Sequence, residues 1–421
     1  MDKFVIEGRV PLFGTSRVSG AKNASLALIP ASLLTSGKTI LSNTPRLNDV
    51  FTMSKLITRL GAVCNFEGHD LEIDTSGVNN QEAPYELVKK MRASIYVLGP
   101  LLARYGYAKV SLPGGCAWGP RPVDLHIRSM IKLGASIEIE NGYIIGRAKK
   151  LQGATISFDR STVGATGNLL MAAVLAKGHT IINNASMEPE VTNLIQLLTA
   201  MGAKISGIAS PILEIEGVDE LHPARVETIP DRVEAATLLT AAAITNGKIT
   251  LNHCSPIHLL SPVAKLQEAG ALVSSYGSTV SIDAANIELK SVDVATSPFP
   301  GFPTDMQAQW IALMSIAAGV STITDTIYTD RFSHVPELNR LGSSISIKDN
   351  SAIVRGVPKL TGAKVMSTDL RASASLVLGG LAAYGTTEVL RVYHLDRGYE
   401  KLEEKLSLLG ANITRVAGSE Y

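Results

Sequence analysis

Cysteine is scarce in this chain: Cys64, Cys116 and Cys254 are the three among 421 residues. So few, and an odd number, cannot build a disulfide framework, which points to a reducing compartment. Aromatic residues are only 5% of the chain, so its 36 glycines and small side chains must supply turns and much of the packing. Neither sign of charge is in excess. The 39 Lys and Arg against 38 Asp and Glu leave a formal +1, which excludes a generally basic nucleic-acid binder and an acidic tail protein. No apolar run approaches the roughly 20 residues of a membrane span. The opening MDKFVIEGRVPLFG holds no apolar run of signal-peptide length. With 45% hydrophobic and 18% charged residues, the composition predicts a globular cytoplasmic protein with no membrane or nucleic-acid partner.

Several motifs are also missing. A phosphate-binding GxxxxGK[ST] fails, because Ser32 stands where the first glycine should precede Gly37-Lys38-Thr39. Gly247-Lys248 fails likewise, with Ala242 before it and Ile249 after. No GxGxxG opens a strand–helix unit, so a Rossmann dinucleotide site is not expected. The eight histidines form no HExxH and the cysteines no CxxC, so no metal site is expected. No GxSxG nucleophile elbow is present.

What is present is a repeat. A pattern of apolar residues, then Leu/Met/Ala-Gly-Ala/Ser, then a β-branched residue recurs at Gly61, Gly134, Gly202, Gly270, Gly342 and Gly410. A second landmark keeps the same beat of about 70 residues: an Ala/Leu-rich helix ending at a glycine that leads into an Ile/Val/Thr run. It falls at Gly37, Gly106, Gly178, Gly247, Gly319 and Gly385. Each of these glycines is expected to be the left-handed residue closing its helix. The unit therefore reads helix–strand–helix–strand–strand. One helix per unit, such as ATGNLLMAAVLA from Ala165, is apolar nearly all round and belongs in an interior. Alternating helices and strands give an α/β class, and the size rule favours two lobes of three units each. A cleft between lobes is the default ligand site.

Charged residues cluster at one point of this unit. Lys22-Asn23, Arg92, Thr162-Val163-Gly164, Pro230-Asp231-Arg232, Thr304-Asp305 and Thr368-Asp369-Leu370-Arg371 all open the apolar helices. An Asp there can simply cap the helix. Lys22 and Arg371 instead oppose the helix dipole, and a bound anion would account for them. Loops after the post-glycine strands add Pro113 to His126, Glu188-Pro189-Glu190, Asp330-Arg331-Phe332 and Asp396-Arg397-Gly398-Tyr399. Three Gly and three Pro around Cys116, Trp118 and Arg121 suit a lid. Lys22, Arg92, Arg121, Arg331, Arg371 and Arg397 share one topological edge, which predicts convergence on a small, multiply charged anion.

Ser19-Gly20-Ala21-Lys22-Asn23, Met91-Arg92-Ala93-Ser94, Pro113-Gly114-Gly115-Cys116, Arg121 to His126, Thr304 to Gln307, Asp369 to Ala372 and Asp396 to Glu400 together carry a family resemblance. The chain resembles, along its whole length, the enolpyruvyl transferases that act on UDP-N-acetylglucosamine at the opening of peptidoglycan precursor synthesis. The resemblance implies an inside-out α/β barrel of two lobes, 21–229 and 1–20 with 230–421, and an active site in the cleft between them. It implies transfer of the enolpyruvyl group of phosphoenolpyruvate to the 3′-hydroxyl of UDP-N-acetylglucosamine, with release of phosphate and no metal or organic cofactor. By the same resemblance, Lys22, Arg121 and Arg397 face the substrate phosphate, Arg331 and Arg371 its carboxylate, and Asn23 the reacting centre. Arg92, Arg121, Pro122, Val123, Asp124, Leu125, Arg160, Thr162, Val163, Asp305 and Ile327 are implied nucleotide-sugar contacts. Cys116 matches the lid cysteine, a proton donor able to form a covalent adduct, and Asp305 matches the candidate base. A thiolate suits the adduct and a thiol the donation, and both remain open. Tyr96, Arg160, Thr162, Trp118, Pro120 and Ala236 depart from the family pattern. The same fold also serves acceptors such as shikimate 3-phosphate, and a non-catalytic nucleotide-sugar-binding paralogue is a further alternative.

Overall fold

The computed structural model describes residues 2–113 and 123–417. Contacts divide the chain into two compact units, Met1–Ser19 with Pro230–Tyr421, and Gly20–Ile229. The division falls at Ser19/Gly20, where backbone partners change. The Asp231 amide donates to the Ser19 carbonyl (2.8 Å), whereas the Ala21 amide donates to that of Ile229 (2.7 Å).

Each unit has its own hydrophobic core and three four-stranded sheets among the described residues. The third repeat shows the pattern. Strand Thr155–Ser157 leads into helix Val163–Ala173, strand His179–Asn183, helix Pro189–Ala200 and strands Lys204–Ser206 and Ile212–Glu216. The first strand pairs parallel with His179–Asn183, which pairs antiparallel with Ile212–Glu216, which pairs antiparallel with Lys204–Ser206. The sequence pattern lacks this opening strand. At two to five residues it is too short to show alternation, as at Glu82–Ala83 and Val294–Ala295. The unit is thus strand–helix–strand–helix–strand–strand.

The first helix of each repeat is interior. In Leu370–Ala382 every residue from Arg371 onward is buried, and in Arg232–Ile244 every residue from Val233. These two pack against each other and against Gln307–Met314. The second helices are amphipathic, as in Asn48–Arg59, whose Val50, Met53, Leu56 and Ile57 are buried while Arg59 is exposed. Among the described residues no helix is long and apolar enough to cross a membrane.

All six glycines of the first landmark have φ between 89° and 108°, a region that L side chains rarely adopt. Five glycines of the second landmark, Gly37, Gly106, Gly178, Gly319 and Gly385, also take positive φ. Only Gly106 directly caps its helix, however. Elsewhere a few residues intervene, and at the fourth repeat Asn246 takes the positive φ. Gly247 is needed there for space, since a Cβ would stand 2.4 Å from the Leu12 carbonyl oxygen.

Candidate active site

The apolar helices begin where the sequence places them, at Lys22, Val163, Arg232 and Leu370, with short 3-10 turns opening at Arg92 and Thr304 in the other two repeats. Asp231 and Asp369 are N-caps. Asp231 accepts from the Val233 and Glu234 amides, and Asp369 from those of Arg371 and Ala372.

In the unit formed by 1–19 and 230–421, Asp305, Arg331 and Arg371 meet. Arg331 Nη2 lies 2.8 Å from Asp305 Oδ1, and Arg371 Nη2 lies 3.0 Å from Oδ2. Both arginines are buried. Burial alone would raise the Asp305 carboxyl, but the Arg371 and Arg331 guanidiniums override it and hold it well below the usual carboxylate range. Arg331 Nη1 also donates to Thr304 Oγ1 (3.1 Å), whose hydroxyl donates to buried Asp325 (2.7 Å). Asp325 accepts from the Ile327 and Tyr328 amides, both at 2.9 Å, so one carboxylate fixes the turn carrying Ile327 and orients the group beneath Arg331.

The segment with Arg397 and Tyr399 enters and leaves through left-handed residues, Arg391 (φ 58°) and Lys401 (φ 49°). Gly398 lets it approach the Leu370–Ala382 helix, because a Cβ there would lie 2.5 Å from Leu370 Cδ2. The Tyr399 oxygen accepts from Arg371 Nη1 (3.2 Å). Burial lowers the His394 imidazole, and the nearby Arg397 and Arg391 charges reinforce it against Asp369.

In the Gly20–Ile229 unit, Lys22 Nζ lies 3.5 Å from buried Asp49 Oδ2. Burial pushes His126 down to about 4, with Arg92 adding to the effect and Asp124 opposing it. The ring is held by Asn168, whose Nδ2 lies 3.0 Å from His126 Nδ1 and 2.9 Å from the Ile95 carbonyl oxygen. The Tyr96 hydroxyl donates to the Val163 carbonyl (3.4 Å), and burial raises this phenol. Val123 is buried and Leu125 packs partly buried against the core. Thr162 occupies an N-cap position without a side-chain cap bond. Asn23, Arg160 and Val163 are exposed, as is Ile327 in the other unit. Cys116, Arg121 and Pro122 lie outside the described residues.

His126 and Tyr399 stand in loops that the sequence already marks, while Asp49, Asp325 and Asn168 join these clusters without such a mark. Of these three, Asp49 has a local signal, an acid in the first turn of its helix. Among the described residues no group of three or more His, Cys, Asp or Glu could hold a metal ion.

A family model described as EPSP synthase (3-phosphoshikimate 1-carboxyvinyltransferase) matches residues 6–406. The chain is 60% identical to a UDP-N-acetylglucosamine 1-carboxyvinyltransferase of Chloroherpeton thalassium, covering 100% of this chain and 99% of the relative. It is 53% identical to one from Desulfosudis oleivorans, covering 99% and 100% respectively. Among solved structures, the enolpyruvyl transferase NikO from Streptomyces tendae matches with a TM-score of 0.89 at 25% identity, covering 99% of each chain. An EPSP synthase from Acinetobacter baumannii shares the fold, with a TM-score of 0.77 at 16% identity over 99% of this chain and 100% of that one. By its full-length match to these relatives and the family model's match over residues 6–406, the chain belongs to the enolpyruvyl transferase family, alongside the UDP-N-acetylglucosamine 1-carboxyvinyltransferases.

Proposed function

We propose that this protein transfers the enolpyruvyl group of phosphoenolpyruvate to the 3′-hydroxyl of UDP-N-acetylglucosamine and releases phosphate, forming a peptidoglycan precursor. The full-length relatives name the acceptor. The observation that carries the chemistry is the Asp305 carboxylate bracketed by two buried guanidiniums.

The reaction is addition followed by elimination. The sugar oxygen bonds to C2 of the enol while its proton leaves and C3 gains one. The tetrahedral adduct then loses phosphate and a C3 proton, restoring the double bond. Arg331 and Arg371 are assigned the substrate carboxylate, where paired planar donors suit a planar anion. Lys22, Arg121 and Arg397 are assigned the phosphate, Asn23 the reacting centre, and Cys116 the proton for C3. Arg92, Pro122, Val123, Asp124, Leu125, Arg160, Thr162, Val163 and Ile327 are assigned to the nucleotide sugar. Asp305 is assigned the hydroxyl proton. With both guanidiniums on Asp305 the carboxylate is a weak acceptor. When the substrate carboxylate shares their charge, its proton affinity rises.

Phosphate release from phosphoenolpyruvate, measured with UDP-N-acetylglucosamine and separately with shikimate 3-phosphate, tests the assignment. Release is expected with the nucleotide sugar alone, and should fall by about 10²–10⁴-fold in Asp305→Ala. Release with shikimate 3-phosphate alone would overturn the acceptor. Undiminished turnover in the variant would overturn the base.

A further inference from the structure

Beneath the Asp305–Arg371 pair lies a polar chain crossing the interior of its unit. Each of three packed helical segments supplies one member: Thr237 from Arg232–Ile244, Gln309 from Gln307–Met314 and Arg371 from Leu370–Ala382. Tyr399 comes from the following loop. Thr237, Gln309 and Tyr399 are at most 2% exposed and Arg371 is 5% exposed. Polar groups at such depth in an apolar core are costly unless each is satisfied.

Two members of the chain have a fixed hydrogen-bonding sense. A guanidinium can only donate and a thioether can only accept. Arg371 Nη1 donates to the Tyr399 oxygen (3.2 Å). The Tyr399 hydroxyl lies 3.0 Å from Thr237 Oγ1, and Thr237 donates to Met306 Sδ (3.6 Å). Gln309 Nε2 donates to the Asp305 carbonyl oxygen (2.9 Å) and lies 3.1 Å from Thr237 Oγ1 and 3.2 Å from the Tyr399 oxygen. The same amide therefore ties the Asp305 backbone to the chain that holds Arg371.

The geometry points to Tyr399 as a positioning residue for enolpyruvyl transfer: its hydroxyl, backed by Thr237 and Gln309, fixes the Arg371 guanidinium so that Nη2 faces the carboxylate position. This rests on the function proposed above and adds a residue to it. One guanidinium nitrogen is anchored in the core, which restrains rotation about the last side-chain bonds. An arginine so held forgoes less rotamer freedom on binding an anion than one on a free stem. Thr237 acts at one remove, because it orients the Tyr399 hydroxyl and touches neither Arg371 nor the site.

Tyr399→Phe removes the acceptor and keeps the ring, and Thr237→Val provides a second variant should the first fail to fold. Phosphoenolpyruvate affinity is measured by calorimetry, and KM for each substrate by phosphate release. For Tyr399→Phe the expected result is phosphoenolpyruvate KM and Kd raised about tenfold, with KM for UDP-N-acetylglucosamine within about twofold. Thr237→Val is expected to shift the same constant by about two- to fivefold, in the same direction. Phosphoenolpyruvate constants unchanged in both variants would overturn the inference. So would both KM values rising together, which marks general loosening of the core. A wild-type protein that neither binds nor turns over phosphoenolpyruvate removes the proposed function and this inference with it. Normal wild-type turnover with unaffected variants removes the inference alone.

Discussion

At the residue scale the clusters show charge held by proximity and neutrality held by burial. His126 is the clearest neutral case. Its ring is buried, its Nδ1 accepts from Asn168, and Arg92 is a neighbouring cation. A proton on Nδ1 would break that bond and repel Arg92. The folded group titrates near 4 against an ordinary 6.5. The unfolded chain takes up a proton below 6.5 that the folded one refuses, so His126 costs nothing above that pH. Below it, stability falls until the folded group titrates near 4, a loss of roughly 3 kcal/mol over the window. Denaturant unfolding between pH 7 and 4 should therefore show a steeper decline for wild type than for His126→Gln. Coincident slopes would mean that His126 is charged in the fold. The residues opening each helix were legible in sequence because the repeat marks their place. Their partners were not: Asp49 lies 27 residues from Lys22, and Tyr399 lies 162 from Thr237. Only packing brings such pairs together, and no local periodicity records it.

At the element scale the repeat was legible because it is written in glycine. The turn after each outer helix needs φ near 100°, and that demand survives while the flanking residues drift. Not all six positions are equally strict. A Cβ on Gly202 meets nothing within 4 Å, whereas one on Gly61 would stand 2.5 Å from the Gly77 carbonyl oxygen and 3.0 Å from Val78 Cα. Gly202→Ala should therefore cost only backbone strain, about 1–2 kcal/mol. Gly61→Ala adds a clash with backbone that has little room to move, and should cost at least about 1 kcal/mol more. Urea midpoints of the two variants check the order, and equal losses would show that the Gly77 loop yields freely. The opening strand of each repeat was illegible for the opposite reason. In five of the six it is held by pairing with a longer parallel neighbour and carries no pattern of its own.

At the scale of the whole molecule, the two units are joined by a reciprocal exchange. In an ordinary repeat the opening strand pairs with the strand that follows its own helix, as Thr155–Ser157 does with His179–Asn183. Phe13–Arg17 precedes helix Lys22–Ala31 but pairs with Lys248–Asn252, the strand after helix Arg232–Ile244. Arg225–Glu227 precedes that helix but pairs with Lys38–Ser42, the strand after Lys22–Ala31. The connectivity is that of two ordinary repeats cut between strand and helix and rejoined crosswise. Lys3–Glu7 completes the pattern. It lies between Thr386–Leu390 and Asn412–Val416, with Lys3 opposite both Leu390 and Val416. Four other repeats have a two-residue hairpin turn at this point, such as Asn141-Gly142 between the paired Glu140 and Tyr143. Residues 230–416, joined through an Asn-Gly turn to residues 3–19, should therefore form a contiguous unit with three complete sheets. The same chain ending at 416 without that extension lacks an interior strand in one sheet and an edge strand in another. We expect cooperative thermal unfolding for the rejoined chain and for 20–229 alone, and none for 230–416 alone. A cooperative transition in 230–416 alone would show that the first nineteen residues are dispensable to the core they thread.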